Sequence, residues 1–322
     1  MMSKYTAKLG AMKFPLSKPT WPSSIPRPNP KRRVGVDYET DWARSYPARL
    51  FRAAYTDFIA SPLTSVIAPA TVVGAQNLER LDGPLIFAAN HNSHADTSVL
   101  IAAIPAKFRH RLVVAAASDY FFDSTIKATT MALTLGAIPI ERAKVSRRSA
   151  QAAIDLASDG WNVVIYPEGG RSADGWMGEF KSGAAFVAQR SGATVIPVFM
   201  EGTGRVLPKR PLEEGQTPGG SGSESRGFNR LRRHPVSILF GRPMHCLEGE
   251  DVRVFSSRIE EAVIELGRES ATDYYQARRS QDRSVTHGPD ASPWRRSWAR
   301  PPAISVSERS PRDRWPFLRA PK

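Results

Sequence analysis

The sequence predicts an α/β fold, a mixed and mostly parallel sheet flanked by helices, with flexible basic arms at both ends. Three observations lead there. Strand-length apolar runs alternate with helical stretches through the middle of the chain. Each of several runs stops abruptly in a polar, glycine-bearing or charged block. The net charge of +14 comes entirely from the two ends.

Residues 1–47 form the first arm, rich in Pro, Lys and Arg and without an apolar periodicity. From 48 to 67 the chain reads ARLFRAAYTDFIASPLTSVI, an apolar-rich stretch in which Pro62 is expected to separate two short helices. Leu50, Tyr55, Phe58 and Ile59 fall on one stripe at helical spacing, which suits either a core helix or one lying in a membrane interface. Buried strands follow at LIFAA (85–89), LVVAAA (112–117), GAIPI (136–140), NVVIYP (162–167), TVIPVFM (194–200) and VSILFG (236–241). Between them, helices are expected near 96–104, 124–134, 147–159 and 181–191, and an amphipathic helix over 251–269 closes the folded region. The polar Gly/Ser segment 213–227 reads as a loop. The expected domain therefore spans 48–276, and 277–322 is a tail of Arg, Ser, Pro and Trp with the composition of a disordered segment.

With 41% hydrophobic and 9% aromatic residues the chain has enough apolar material for a core. No window offers the roughly 18 continuous apolar residues of a membrane-spanning helix, and the N-terminus lacks the apolar region of a signal peptide. One cysteine, Cys246, excludes an internal disulfide framework. Together these point to the cytoplasm. Residues 1–50 carry ten basic against three acidic side chains, and 277–322 carry eleven against four, leaving the middle neutral. There is no zinc-ligand spacing, helix-turn-helix or aromatic RNA-binding strand motif, so no specific nucleic-acid partner is expected. A P-loop and a GxSxG elbow are also missing.

The chemistry concentrates after the strands, where α/β sheets bind ligands. LIFAANHNSHADTSVL (85–100) ends a core run in Asn90, His91, His94 and Asp96. An imidazole takes a proton from a hydroxyl near neutral pH once its tautomer and orientation are fixed, and a carboxylate on the other ring nitrogen fixes them. His91 and Asp96 stand five apart, a spacing suited to a loop that opens a helix. Three further blocks accompany them: GAIPIER (136–142), YPEGGRS (166–172) and VIPVFMEGT (195–203). Their glycines let backbone N–H groups approach an anion, and Arg142 and Arg171 present fork-shaped donors suited to phosphate.

In order and spacing these four blocks resemble those of the glycerophospholipid acyltransferase family, of the lysophosphatidic-acid-acyltransferase type with an HxxxxD motif, over about residues 70–245. The resemblance implies that His91 is the general base and Asp96 its orienter. It implies that Arg142, Glu168, Gly169, Gly170 and Arg171 bind the acceptor and its phosphate, although Gly170 stands where many members carry Thr. Asn90, Ser93, Ser172, Lys181 and Pro197 would support the site, Pro197 on the acyl-donor side. The implied reaction moves a fatty acyl group from an acyl thioester, acyl-CoA or acyl carrier protein, to the hydroxyl of a lysophospholipid such as 1-acyl-glycerol-3-phosphate. No metal and no bound cofactor are implied, since the carrier is a substrate. The alternatives are another lipid or glycolipid acceptor, or a lipid-binding relative without catalysis. An enzyme acting on lipids without a spanning helix has to dock peripherally. Trp294, Trp298, Trp315 and Phe317, set among the tail's arginines, suit an anionic membrane surface.

Overall fold

A computed structural model describes residues 34–141, 147–172, 175–207 and 232–289, without the side chains of 147–149. Its centre is a seven-stranded sheet in the order β1-β7-β6-β2-β5-β3-β4. The strands are β1 (Ala70–Val73), β2 (Leu85–Ala89), β3 (Leu112–Ala117), β4 (Ala137–Ile140), β5 (Asn162–Ile165), β6 (Thr194–Glu201) and β7 (Val236–Phe240). β6, β2, β5, β3 and β4 run parallel, and β7 with its parallel neighbour β1 runs the other way. The five parallel strands therefore deliver their carboxyl ends to one edge, where the polar blocks begin.

Continuous apolar runs form these strands because helices cover both faces of the sheet. On one face Leu85, Phe87, Val114, Ile196, Met200 and Phe240 pack with Val99, Leu100 and Ile104 from helix α3 (Ala95–Ala103) and its exit. On the other, Ile86, Ala88, Val163 and Val195 meet α5 (Arg147–Ser158), α6 (Gly183–Ser191) and α7 (Val252–Ala271). Alternation along each strand sends neighbours to opposite faces, so residues 85–89 supply both layers at once. Two further helices precede the sheet, α1 (Tyr46–Tyr55) and α2 (Ser61–Ile67), while α4 (Thr125–Leu135) links β3 to β4 and α8 (Tyr274–Arg279) follows α7.

Four features differ from the reading of the sequence. Pro62 does not break the chain, because a π-helical turn over Thr56–Ala60 runs directly into α2. Its wider register precedes the position where proline withholds an N–H, so helical backbone continues from 46 to 67. β1 was not expected: it is four residues long, lies at the sheet edge and is only half buried. Packing begins before residue 48, with Ala43 and Thr40 buried and Tyr38 bonded to Thr129 at 2.7 Å. It also continues past 276. Ala277 and Thr286 are buried, Asp273 caps α8 through the N–H groups of Tyr275 and Gln276, and the Met177 N–H donates to the Thr286 carbonyl. Composition could not reveal this, since capping and single small contacts hold the segment rather than an apolar stripe.

Arg52 ties α1 to the body. Its Nε donates to the carbonyl of Leu133 at 2.9 Å, and one Nη donates to those of Ala132 and Ala43. It thus caps carbonyls of the last turn of α4 with a buried cation. Burial, with Arg44 and Arg49 nearby, lowers its pKa to about 10.

Candidate active site

β2 ends at Ala89, and Asn90 locks that end to β6. Its side-chain N–H donates to the Met200 carbonyl at 2.9 Å and its oxygen accepts the Met200 N–H at 2.7 Å. Asn90 is buried, so losing either partner would strand a backbone group. His91 follows immediately and turns its ring toward α3. Its Nδ1 lies 2.9 Å from Oδ2 of Asp96, in the first turn of that helix. The same Oδ2 accepts the N–H groups of Asn92 and Ser93 at 2.7 and 2.9 Å. Asp96 is wholly buried, so it is held by bonds that point it at one imidazole nitrogen. A neutral imidazole that donates from Nδ1 to this carboxylate keeps its lone pair on Nε2. Ser93 closes the turn, with its hydroxyl donating to the Leu207 carbonyl at 2.8 Å and accepting from the Ala95 N–H.

The block leaving β5 grips His91 from the other side. Oε1 of Glu168 accepts the His91 N–H at 2.8 Å, and Oε2 accepts the Gly178 N–H at 3.0 Å. Both carboxyl oxygens thus accept backbone N–H groups. Burial pushes the Glu168 carboxyl up to about 8, against the pull of those two N–H groups and with smaller contributions from Asp96 and Glu260. The Ser172 N–H donates to the His91 carbonyl at 2.9 Å, while the Ser172 hydroxyl accepts the Gly175 N–H at 2.6 Å. Gly169 sits at φ 71°, a left-handed backbone that favours glycine, and a Cβ there would come within 2.8 Å of the Lys181 Nζ and push that side chain aside. Lys181 thereby lies against the turn, with its own N–H on the Pro167 carbonyl at 2.9 Å.

Arg171 reaches toward the Tyr120 ring at 6.0 Å, and Lys127 lies 4.3 Å from the same ring. Tyr120, in the turn after β3, also stacks on His94 at 5.2 Å. Gly170 lies in the same turn as Arg171, whereas Arg142 falls outside the described residues. Pro197 is not at the strand exits. It sits inside β6 in register with Ala88, and its ring lies where a Cβ on Gly241 would strike it.

Two participants carried no sequence signal of their own. The Tyr166 ring stacks on the His91 imidazole with centroids 4.1 Å apart and planes at 19°, and its hydroxyl is 3.0 Å from that of Thr97. An aromatic residue at a strand end reads as core. Its only clue was that it opens the block containing Glu168 and Arg171.

The carboxyl ends of the strands thus bring together an imidazole bonded to a buried carboxylate and a glycine turn that carries a cation. Among the described residues no group of three His, Cys, Asp or Glu side chains is placed to hold a metal. A family model described as Acyltransferase matches residues 69–201, which include all four blocks up to Glu201. A 1-acyl-sn-glycerol-3-phosphate acyltransferase of Chlamydomonas reinhardtii is 36% identical over 143 residues, covering 43% of this chain and 40% of its own length. The chloroplastic 1-acyl-sn-glycerol-3-phosphate acyltransferase LPAT1 of Arabidopsis thaliana is 29% identical over 204 residues, covering 61% of this chain and 50% of its own. The chain thus spans half or less of the length of these relatives. The crystal structure of the 1-acyl-sn-glycerophosphate acyltransferase PlsC from Thermotoga maritima superposes with a TM-score of 0.46 at 19% identity, covering 70% of this chain and 80% of that one. Over residues 69–201 the chain matches the family model described as Acyltransferase, and the relatives it is similar to there are 1-acyl-sn-glycerol-3-phosphate acyltransferases.

Proposed function

We propose that the protein transfers a fatty acyl group from an acyl thioester, acyl-CoA or acyl carrier protein, to the free hydroxyl of 1-acyl-glycerol-3-phosphate. The observation that carries this reading is the 2.9 Å contact between His91 Nδ1 and buried Asp96 at the mouth of the parallel strands. Nε2 of His91 takes the hydroxyl proton as the alkoxide attacks the thioester carbonyl. A C–O bond forms, the tetrahedral intermediate collapses with loss of the C–S bond, and the thiolate leaves with the proton from the imidazolium. Such a base contributes on the order of 10²–10⁴ in rate. Arg171, with Lys127 near it across Tyr120, meets the acceptor phosphate. No protein-bound acyl intermediate and no cofactor are needed, because the carrier enters as substrate.

The substrates reside in a bilayer, and the run from α1 to α2 supplies a docking face. Tyr46, Leu50, Phe51, Phe58, Ile59, Leu63 and Val66 are all more than half exposed, Phe58 at 81%. That density of large apolar side chains suits an interfacial helix pair. No helix among the described residues is long and apolar enough to cross a membrane. The proposed docking is peripheral, at an anionic surface, and the tryptophans of the tail that would assist it lie outside the described residues.

The test is thiol release from long-chain acyl-CoA with lysophosphatidic acid, compared with lysophosphatidylcholine, whose phosphate is a diester. Release that depends on lysophosphatidic acid, with an acceptor KM raised about tenfold or more in Arg171→Ala, is expected. Equal use of both acceptors, or an unchanged KM, contradicts the assignment of the phosphate contact.

A further inference from the structure

Residues 166–172 hold His91 at three points. Glu168 takes its N–H, the Ser172 N–H meets its carbonyl, and the Tyr166 ring covers one face of its imidazole. The first two fix the backbone of the base. The third acts on the ring itself, and it is tied back to the helix that carries the orienting carboxylate. Tyr166 bonds Thr97 at 3.0 Å, and Thr97 is the residue after Asp96 on α3. A closed circuit results: His91 to Asp96 through Nδ1, one residue along α3 to Thr97, across to the Tyr166 hydroxyl, and through its ring back to His91.

We infer that Tyr166 is a positioning residue for the base, fixing the plane of the His91 ring and favouring the imidazolium formed when the acceptor hydroxyl gives up its proton. This rests on the reading of His91 as the base. The hydrogen bond to Asp96 pins one edge of the imidazole but tolerates tilt of the ring, since such bonds stay effective over a broad range of angles. A face contact at 4.1 Å with planes 19° apart removes that freedom. It also discriminates between charge states. The negative face of an aromatic ring attracts a cation more than a neutral ring, so the stack strengthens as His91 becomes protonated. An interaction stronger at the transition state than in the ground state raises kcat rather than lowering KM. Burial and the nearby Asp96 carboxylate raise the Tyr166 phenol pKa, so the ring stays neutral through the physiological range.

If Tyr166 merely fills space at the edge of the core, leucine serves in its place. If it positions the base, only another aromatic ring does. Tyr166→Leu, Tyr166→Phe and Thr97→Val are assayed beside His91→Ala for acceptor-dependent thiol release, with thermal unfolding of each. Tyr166→Leu is expected to lower kcat roughly tenfold with both KM values within about twofold. Tyr166→Phe keeps the ring and loses only about threefold. Thr97→Val deletes the same bond as Tyr166→Phe, so the double variant is no worse than either. A folded Tyr166→Leu enzyme with wild-type kcat, while His91→Ala is inactive, overturns this inference alone. Turnover by His91→Ala overturns the reading beneath it. Should Tyr166→Leu fail to fold, the other two variants decide: small, non-additive losses in kcat at constant KM support the circuit, and additive losses or a raised KM overturn it.

Discussion

Glu168→Gln probes the joint between the two catalytic blocks. The carboxyl oxygens accept two backbone N–H groups, from His91 at 2.8 Å and Gly178 at 3.0 Å. An amide offers one oxygen and one NH₂, so one N–H then faces another donor. An unsatisfied buried donor costs about 1–3 kcal/mol, and at roughly 2–4 °C per kcal/mol for a domain of this size the melting temperature falls by about 2–12 °C. The wild-type group also imposes a pH dependence. Its folded-state pKa, raised by burial, stands at about 8 against an ordinary value of 4.5. The native state thus keeps a proton that the unfolded chain has released. The stability tied to that proton is fully present below 4.5 and is lost as the pH rises to about 8, at a limiting slope of about 1.4 kcal/mol per pH unit. Glutamine does not titrate, so that part of the slope vanishes. Thermal unfolding of both proteins from pH 5 to 9 measures it. Equal melting temperatures and parallel pH slopes would refute the buried, backbone-bonded Glu168.

Other expectations follow from the same structure. Asp96→Asn leaves the size of the orienter but removes the charge that selects the imidazole tautomer, so kcat should fall about 10³–10⁴-fold with acceptor KM within about threefold; steady-state kinetics checks it. Arg52→Leu strands the carbonyls of Leu133, Ala132 and Ala43 and should cost about 2–4 kcal/mol in denaturant unfolding without altering the acceptor KM. Phe58→Glu with Leu63→Glu places charge on the exposed face of α2 and the turn before it. At about 1.5–3 kcal/mol for each buried apolar side chain, sedimentation with anionic vesicles should fall at least about tenfold, while the melting temperature stays put.

Much of the site was legible because its residues break a pattern. LIFAA is continuous apolar sequence, so Asn90, His91 and Asp96 stand out where the run stops, and the parallel sheet gathers such stops at one edge. What individual atoms touch was less legible. The resemblance implies Glu168 as an acceptor contact, while the backbone N–H groups that its oxygens accept are not displayed by a sequence. Tyr166 and Thr97 are 69 positions apart and meet only through the packing of β5 on α3. Pro197 seemed part of a strand-end block, but β6 is eight residues long and places it well before the exit. β1 escaped notice since four half-buried residues give too short an alternation. The packing of residues 277–289 was not legible because it comes from caps and from contacts such as that of Gly288 with Trp176 rather than from composition.

The central claim is that His91 removes the acceptor proton with Asp96 behind it. The most direct measurement is thiol release from long-chain acyl-CoA by wild-type protein and His91→Ala, each with and without lysophosphatidic acid. The account predicts release that requires the acceptor in the wild type and is lost in the variant, with the same melting temperature for both. Wild-type turnover by a folded His91→Ala protein would contradict it.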